Sequence, residues 1–196
     1  MNPEVVITDF DGVVGNSLRT AIEVAKGIVN LFDENEVVEQ FDDYRRLIGK
    51  HGTLPHREKL REMHRLLMEH HGASIKPFTD VLQMYSALKR KPYVLSSSYI
   101  GTIEKVLSDN VSIFEAIYGF EEGPKEVLLN RLKQDLRFIY ITDTIVDIAR
   151  CKSIDVPVIA VTWGYDGKEL LQNAKPDFLI DTPMELKNVL RNLNLI

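Results

Sequence analysis

Glu4-Val5-Val6-Ile7-Thr8-Asp9-Phe10-Asp11-Gly12-Val13-Val14 is the stretch that decides the fold. Its first half is a short, mostly β-branched run with no polar face, the pattern of a strand buried on both sides. Asp-Phe-Asp-Gly stops that run, and Gly12 permits a sharp turn. Two carboxylates two residues apart on such a turn can point into one pocket. Strand ends are where an open α/β sheet collects reactive groups. Alone, the motif has a second reading as a surface D-x-D-G turn with Asp9 capping the next segment.

Three further polar signals follow in order, each at the end of an apolar run or a breaker. Ser96-Ser97 follows YVL, Lys125 follows Gly-Pro, and Asp143 with Asp147 follows FIYIT. The spacing predicts strands over 4–8, 92–97, 115–119, 137–142, 157–162 and 177–181. It predicts helices over 79–90, 100–109, 125–134, 145–153 and 183–193. Strands alternating with helices imply a parallel sheet covered on both faces, hence an α/β class and a Rossmann-like core. Residues 17–72 differ: AIEVAKGIVNLF and REKLREMHRLLMEHH repeat apolar residues at helical spacing around the Gly49–Pro55 loop. The expected organisation is a core of residues 1–15 and 79–196 interrupted by an α-helical cap at 16–78. A cap leaving directly after the first turn is placed to act as a lid over it.

The four signals together support phosphate chemistry. A carboxylate such as Asp9 can attack phosphorus to give an aspartyl-phosphate, dividing one displacement into two. Asp11 can protonate the leaving oxygen and then activate water. Asp143 and Asp147, four residues apart across a strand end and the first helical turn, face the same side. Their oxygens suit Mg²⁺; the alternative is an N-cap Asp143 with an exposed Asp147. Two carboxylates about 4 Å apart repel by roughly 4 kcal/mol at an effective dielectric near 20, so ionising several together calls for a cation. Mg²⁺ and Lys125 can supply it. Lys125 opens a helix, where the dipole disfavours positive charge, so either the ammonium has a partner or it is a solvated surface lysine. Ser96 and Ser97, before a helix, read as a phosphate cradle or as simple N-caps.

In combination these motifs resemble the haloacid dehalogenase superfamily of aspartate-nucleophile phosphatases and their relatives. DFDGVV is similar to its first motif, Ser96 to its second, Lys125 to its third and the aspartates of TDTIVD to its fourth. The stretch VPVIAVTWGYDGKELLQNAKPDFLIDTPMEL looks like that of phosphoglycolate phosphatases, and the helical insert looks like the family's first type of cap. The resemblance implies Asp9 as nucleophile and metal ligand, and Asp11 as acid/base whose carbonyl also binds Mg²⁺. It implies Ser96 and the Ser97 backbone on the phosphoryl group, and Lys125 as the cation. Asp143 becomes a metal ligand, and Asp147 joins the metal site by orienting waters or Lys125. Three departures stand out: Thr142 precedes Asp143 where Gly is usual, Asn16-Ser17 replaces Asp-Ser, and Thr79-Asp80 replaces Pro-Gly. Thr142 is comfortable at a strand end, so the expectation is an altered loop with the metal retained.

All five histidines lie in the cap region, with no HExxH or compact ligand pattern, and read as exposed helix and loop residues. Arg45, Lys50 and His51 flank the Gly49–Gly52 hinge and are candidates for holding a second polar group of the substrate. The 196 residues carry 44% hydrophobic and 27% charged side chains, ordinary for a globular protein, and a formal charge of −5 argues against a broad nucleic-acid surface. The single cysteine, Cys151, excludes an internal disulfide and reads as a small apolar helix residue. No apolar stretch is long enough for a bilayer and no signal-peptide pattern is present, so a cytoplasmic monomer or homodimer without membrane or nucleic-acid partners is expected. The resulting expectation is an Mg²⁺-dependent phosphatase of a small phosphorylated metabolite such as phosphoglycolate. A β-phosphoglucomutase-type phosphotransferase and a non-catalytic binding protein on the same fold are the alternatives.

Overall fold

The computed structural model describes residues 3–18 and 75–196. Within them six strands form one parallel sheet: β1 (Val5–Thr8), β2 (Tyr93–Leu95), β3 (Ala116–Tyr118), β4 (Phe138–Thr142), β5 (Val158–Val161) and β6 (Phe178–Ile180). Their order is β3-β2-β1-β4-β5-β6, the doubly wound arrangement. β1 is central, with Thr8 paired to Val94 on one side and Ile141 on the other. The switch in winding direction falls between β1 and β4, where such sheets open a crevice at their carboxyl ends.

Alternation along each strand explains the two layers. Val6, Ile139, Ile141, Ile159 and Val161 face one side, packing with Val81, Tyr85, Ile103, Leu186 and Leu190 from the helices Thr79–Ser86, Ile100–Leu107 and Pro183–Asn192. Val5, Ile7, Tyr140, Val158 and Ala160 face the other, against Leu128, Leu129, Ile148 and Leu171 from the helices Lys125–Asp135, Ile145–Ser153 and Lys168–Asn173. Cys151 is buried in this second layer.

Most boundaries agree with the sequence reading, and the differences have local causes. Lys168–Asn173 was not anticipated: six residues with only Leu171 buried are too short to display a helical period. The first helix after the cap region ends at Ser86 because the following turn is pinned, Lys89 donating its amide to the Leu195 carbonyl. β2 stops at Leu95, leaving Ser96–Ser98 to turn into the crevice.

The chain departs from the core and re-enters it side by side. Asn16 donates its amide to the Lys76 carbonyl at 2.9 Å, and Phe78 donates to Val14 at 2.8 Å. The body of the expected cap, with Arg45, Lys50 and His51, lies outside the described residues. Among the described residues no helix is long and apolar enough to cross a membrane.

Candidate active site

Each sequence signal sits at a carboxyl end of the sheet, and strand adjacency brings the signals together. Asp9 follows β1, Asp143 follows β4, and β1 and β4 are neighbours. Ser96 follows β2, on the other flank of β1. Lys125 begins the helix after β3, and Asp147 lies in the first turn of the helix after β4.

Asp9 is 6% exposed. Its Oδ1 accepts the Phe10 amide at 2.7 Å, and its Oδ2 accepts the Lys125 ammonium at 2.7 Å. The same Nζ donates to Asp147 Oδ2, also at 2.7 Å. One buried cation therefore serves two carboxylates. Asp147 has a second cation, Arg150, on its Oδ1 at 2.7 Å, and its Oδ2 also receives the Tyr140 hydroxyl at 3.3 Å. This unequal sharing sets the protonation. Burial pushes Asp9 upward; Lys125 opposes it, Asp147 adds repulsion, and the carboxyl is raised to about 7. Burial also works against the charge on Asp147, but Lys125 and Arg150 outweigh it and hold that carboxyl below its ordinary range. Lys125 is disfavoured by burial, yet Asp147 and Asp9 together raise its pKa. The surface-lysine alternative is removed, since Lys125 is 6% exposed.

Asp143 is fully buried, and two glycines make room for it. A Cβ on Gly12 would lie 2.0 Å from Asp143 Oδ2, and one on Gly164 would lie 2.1 Å away. Gly12 also takes φ +73°, a left-handed turn that glycine adopts without penalty. Asp143 Oδ2 accepts the Tyr165 amide at 2.7 Å, while its Oδ1 is buried with no partner among the described residues. Burial, with Asp9 nearby, drives the Asp143 carboxyl well above its usual range. Asp143 does not cap the helix: Thr144 does, its Oγ1 accepting the Asp147 amide. Thr142, in the place where glycine was noted as usual, uses its Oγ1 to accept the Thr144 amide at 3.2 Å and reaches Asp147 Oδ2 at 3.5 Å.

The three serines after β2 take different environments. Ser96 is buried and directs its hydroxyl at Asp11 Oδ2, 3.4 Å away. Ser97 is exposed. The second buried hydroxyl is that of Ser98, which donates to Asp11 Oδ2 at 2.5 Å. None of them caps the following helix, whose N-cap position is Tyr99. Sequence reasoning also missed Tyr165, whose amide holds Asp143 and whose hydroxyl donates to Ser17 at 3.0 Å beside the exit to the cap region. It missed Asp166, buried, accepting the Ile145 amide at 2.7 Å, and Gly164. The quoted run TWGYDG contains all three, but nothing in its local pattern ties it to β4.

The residues fit a divalent cation of the oxygen-loving kind. Among the described residues, the cations paired with the carboxylates Asp9, Asp11, Asp143 and Asp147 are Lys125 and Arg150, so full ionisation leaves two negative charges uncompensated by them. Asp143 Oδ1 is an orphaned buried acceptor. Among the described residues no group of three or more His, Cys, Asp or Glu side chains forms a ready cage. Mg²⁺ needs none, since it keeps several waters and takes one or two carboxylates.

Superposition on solved structures shows that this doubly wound sheet is the haloacid dehalogenase-like fold. The chain superimposes on a haloacid dehalogenase-like hydrolase of Streptococcus pneumoniae with TM-score 0.70 at 17% identity, covering 94% of this chain and 97% of that one. A HAD family hydrolase of Deinococcus radiodurans, with bound phosphate and sodium, matches at TM-score 0.73 and 18% identity over 100% and 98% of the two chains. In sequence, the chain is 25% identical over 211 residues to a phosphoglycolate phosphatase of Synechococcus elongatus, spanning 97% of this chain and 98% of that protein. No family model matches.

Proposed function

We propose that the protein is a phosphatase that hydrolyses a small phosphomonoester through an aspartyl-phosphate on Asp9. The observation that carries this reading is the buried Lys125 ammonium held 2.7 Å from Asp9 at the carboxyl end of the central strand. Such a pair presents an oriented carboxylate nucleophile and offsets the charge of an incoming phosphate. The Asp9 carboxylate attacks phosphorus, and the bond to the leaving oxygen breaks as Asp11 gives that oxygen a proton. Asp11 then takes a proton from water as the water oxygen bonds to phosphorus. The bond to Asp9 breaks with its electron pair returning to the carboxylate. Ser96 donates its hydroxyl to a phosphoryl oxygen. Lys125 holds Asp9 in place throughout, and Asp147 anchors Lys125.

Both oxygens of Asp147 are committed to cations, so this reading assigns Asp147 to Lys125 rather than to the metal. Mg²⁺ would be held by Asp9, Asp143 and the Asp11 main-chain carbonyl, and when bound it supplies positive charge against the phosphoryl oxygens. Phosphoglycolate is the first substrate to test, supported by the relative from Synechococcus elongatus, which is similar along nearly its whole length.

The test is phosphate release from a panel of small phosphomonoesters, phosphoglycolate included, with Mg²⁺ and with chelator. The expected result is Mg²⁺-dependent release with one preferred alkyl phosphate, abolished in Asp9→Asn. Folded wild-type protein that releases phosphate from no member, or an Asn variant with near-normal turnover, would overturn the reading.

A further inference from the structure

We propose that Ser98 is a positioning residue for Asp11, holding one carboxylate oxygen so that the other is left to carry the proton. The inference rests on the phosphatase reading above and adds a residue to it.

Three contacts fix Ser98 from three directions. Its amide donates to Ser96 Oγ at 3.0 Å, and its carbonyl accepts the Phe120 amide at 2.9 Å from the segment after β3. Its hydroxyl donates to Asp11 Oδ2 at 2.5 Å. Ser98 is 1% exposed, so water does not compete for that hydroxyl. The Ser98 amide also occupies a lone pair of Ser96 Oγ, which ties the two serines together. Ser96 is 3.4 Å from the same Asp11 oxygen, too long to hold it firmly.

The two Asp11 oxygens are therefore unequal. Oδ2 receives the hydroxyls, while Oδ1 is buried with no partner among the described residues. A carboxyl group acting first as acid and then as base needs one oxygen free for the reacting atoms. With Oδ2 anchored, Oδ1 gives its proton to the leaving oxygen as the phosphorus–oxygen bond breaks, and the same oxygen takes the proton from attacking water. Without the anchor, Asp11 can rotate about χ1 and χ2, and its time in the productive orientation falls.

Proton donation matters only where the leaving group is a poor one, which separates this role from a structural one. The experiment compares kcat/KM for the best alkyl phosphate of the panel with that for 2,4-dinitrophenyl phosphate, whose leaving group needs no proton. Ser98→Ala is expected to lower the alkyl value about 10- to 100-fold, part of the ~10²- to 10⁴-fold a general acid provides. The dinitrophenyl value should change less than about threefold, Ser98→Thr should restore the alkyl rate, and Ser98→Ala should add little in an Asp11→Asn background. If the Ala variant melts early, Ser98→Cys, nearly isosteric but a weak donor, gives the same comparison. Equal losses on both substrates, an alkyl rate within twofold of wild type, or no rescue by Thr would overturn the role of Ser98 while leaving the phosphatase reading standing. Wild-type protein inactive on every phosphomonoester would overturn both.

Discussion

Replacing Gly164 by alanine tests whether the seat of Asp143 is as tight as the backbone makes it. The new methyl carbon would lie 2.1 Å from Asp143 Oδ2, 2.4 Å from its Cβ and 2.5 Å from its Cγ, where ordinary contact begins at 3.4 Å. The obstacle is a fully buried side chain whose Oδ2 is tied to the Tyr165 amide. Relieving the overlap requires a shift of about 1 Å, a misplacement that costs on the order of 100-fold when it falls on reacting groups. Overpacking of this kind destabilises by about 1–3 kcal/mol. At about 2–4 °C per kcal/mol for a chain of this size, the melting temperature should fall by about 2–12 °C. Gly164 has an ordinary φ, so the effect comes from the overlap alone. Gly12→Ala adds left-handed strain at φ +73° to a similar overlap and should cost about 1 kcal/mol more. The assays are thermal melting in chelator and kcat/KM with Mg²⁺. A Gly164→Ala protein with an unchanged melt and kcat/KM within threefold of wild type would refute the claim that these glycines shape the Asp143 site.

Other expected outcomes concern charge. Lys125→Met leaves Asp9 and Asp147 buried without their shared cation, and urea denaturation at pH 8 should show a loss of about 3–5 kcal/mol; a loss under 1 kcal/mol would contradict the pairing. Metal-free protein should become less stable as pH rises from about 4 to about 7. Asp9 releases its proton near 4 when unfolded but near 7 when folded, so the folded state holds more protons across that window. The decline should shrink in Asp9→Asn, and a flat wild-type profile in chelator would count against the raised Asp9. The lowered Asp147 acts in the opposite sense: its contribution is present above about 4 and is lost as pH falls further. Adding Mg²⁺ at pH 8 to about 100 times its Kd should stabilise the fold by about 2.7 kcal/mol, and Asp143→Asn should abolish most of that gain. An equal gain in the Asn variant would argue against Asp143 as a ligand.

The α/β class, the strands and the main polar groups at their ends were legible in the amino-acid order alone. Those are local facts: VVIT and FIYIT have no polar face, so they must be buried strands, and an acidic residue directly after such a run must stand at the carboxyl end of the sheet. Lys125 was legible only in part: a cation opening a helix is a local conflict, which left open a partnered ammonium or a solvated surface lysine. Its partners follow from long-range packing. Asp9 and Lys125 are 116 positions apart and meet because the sheet order sets β1 beside β4, with the helix after β3 packed across the second face. Ser98 rather than Ser97 reaches Asp11 because β2 ends at Leu95 and the turn sends alternate serines inward. Gly164 and Tyr165 gain their meaning the same way: the loop after β5 lies over the end of β4, and a glycine reads as a turn until the side chain it makes room for is known.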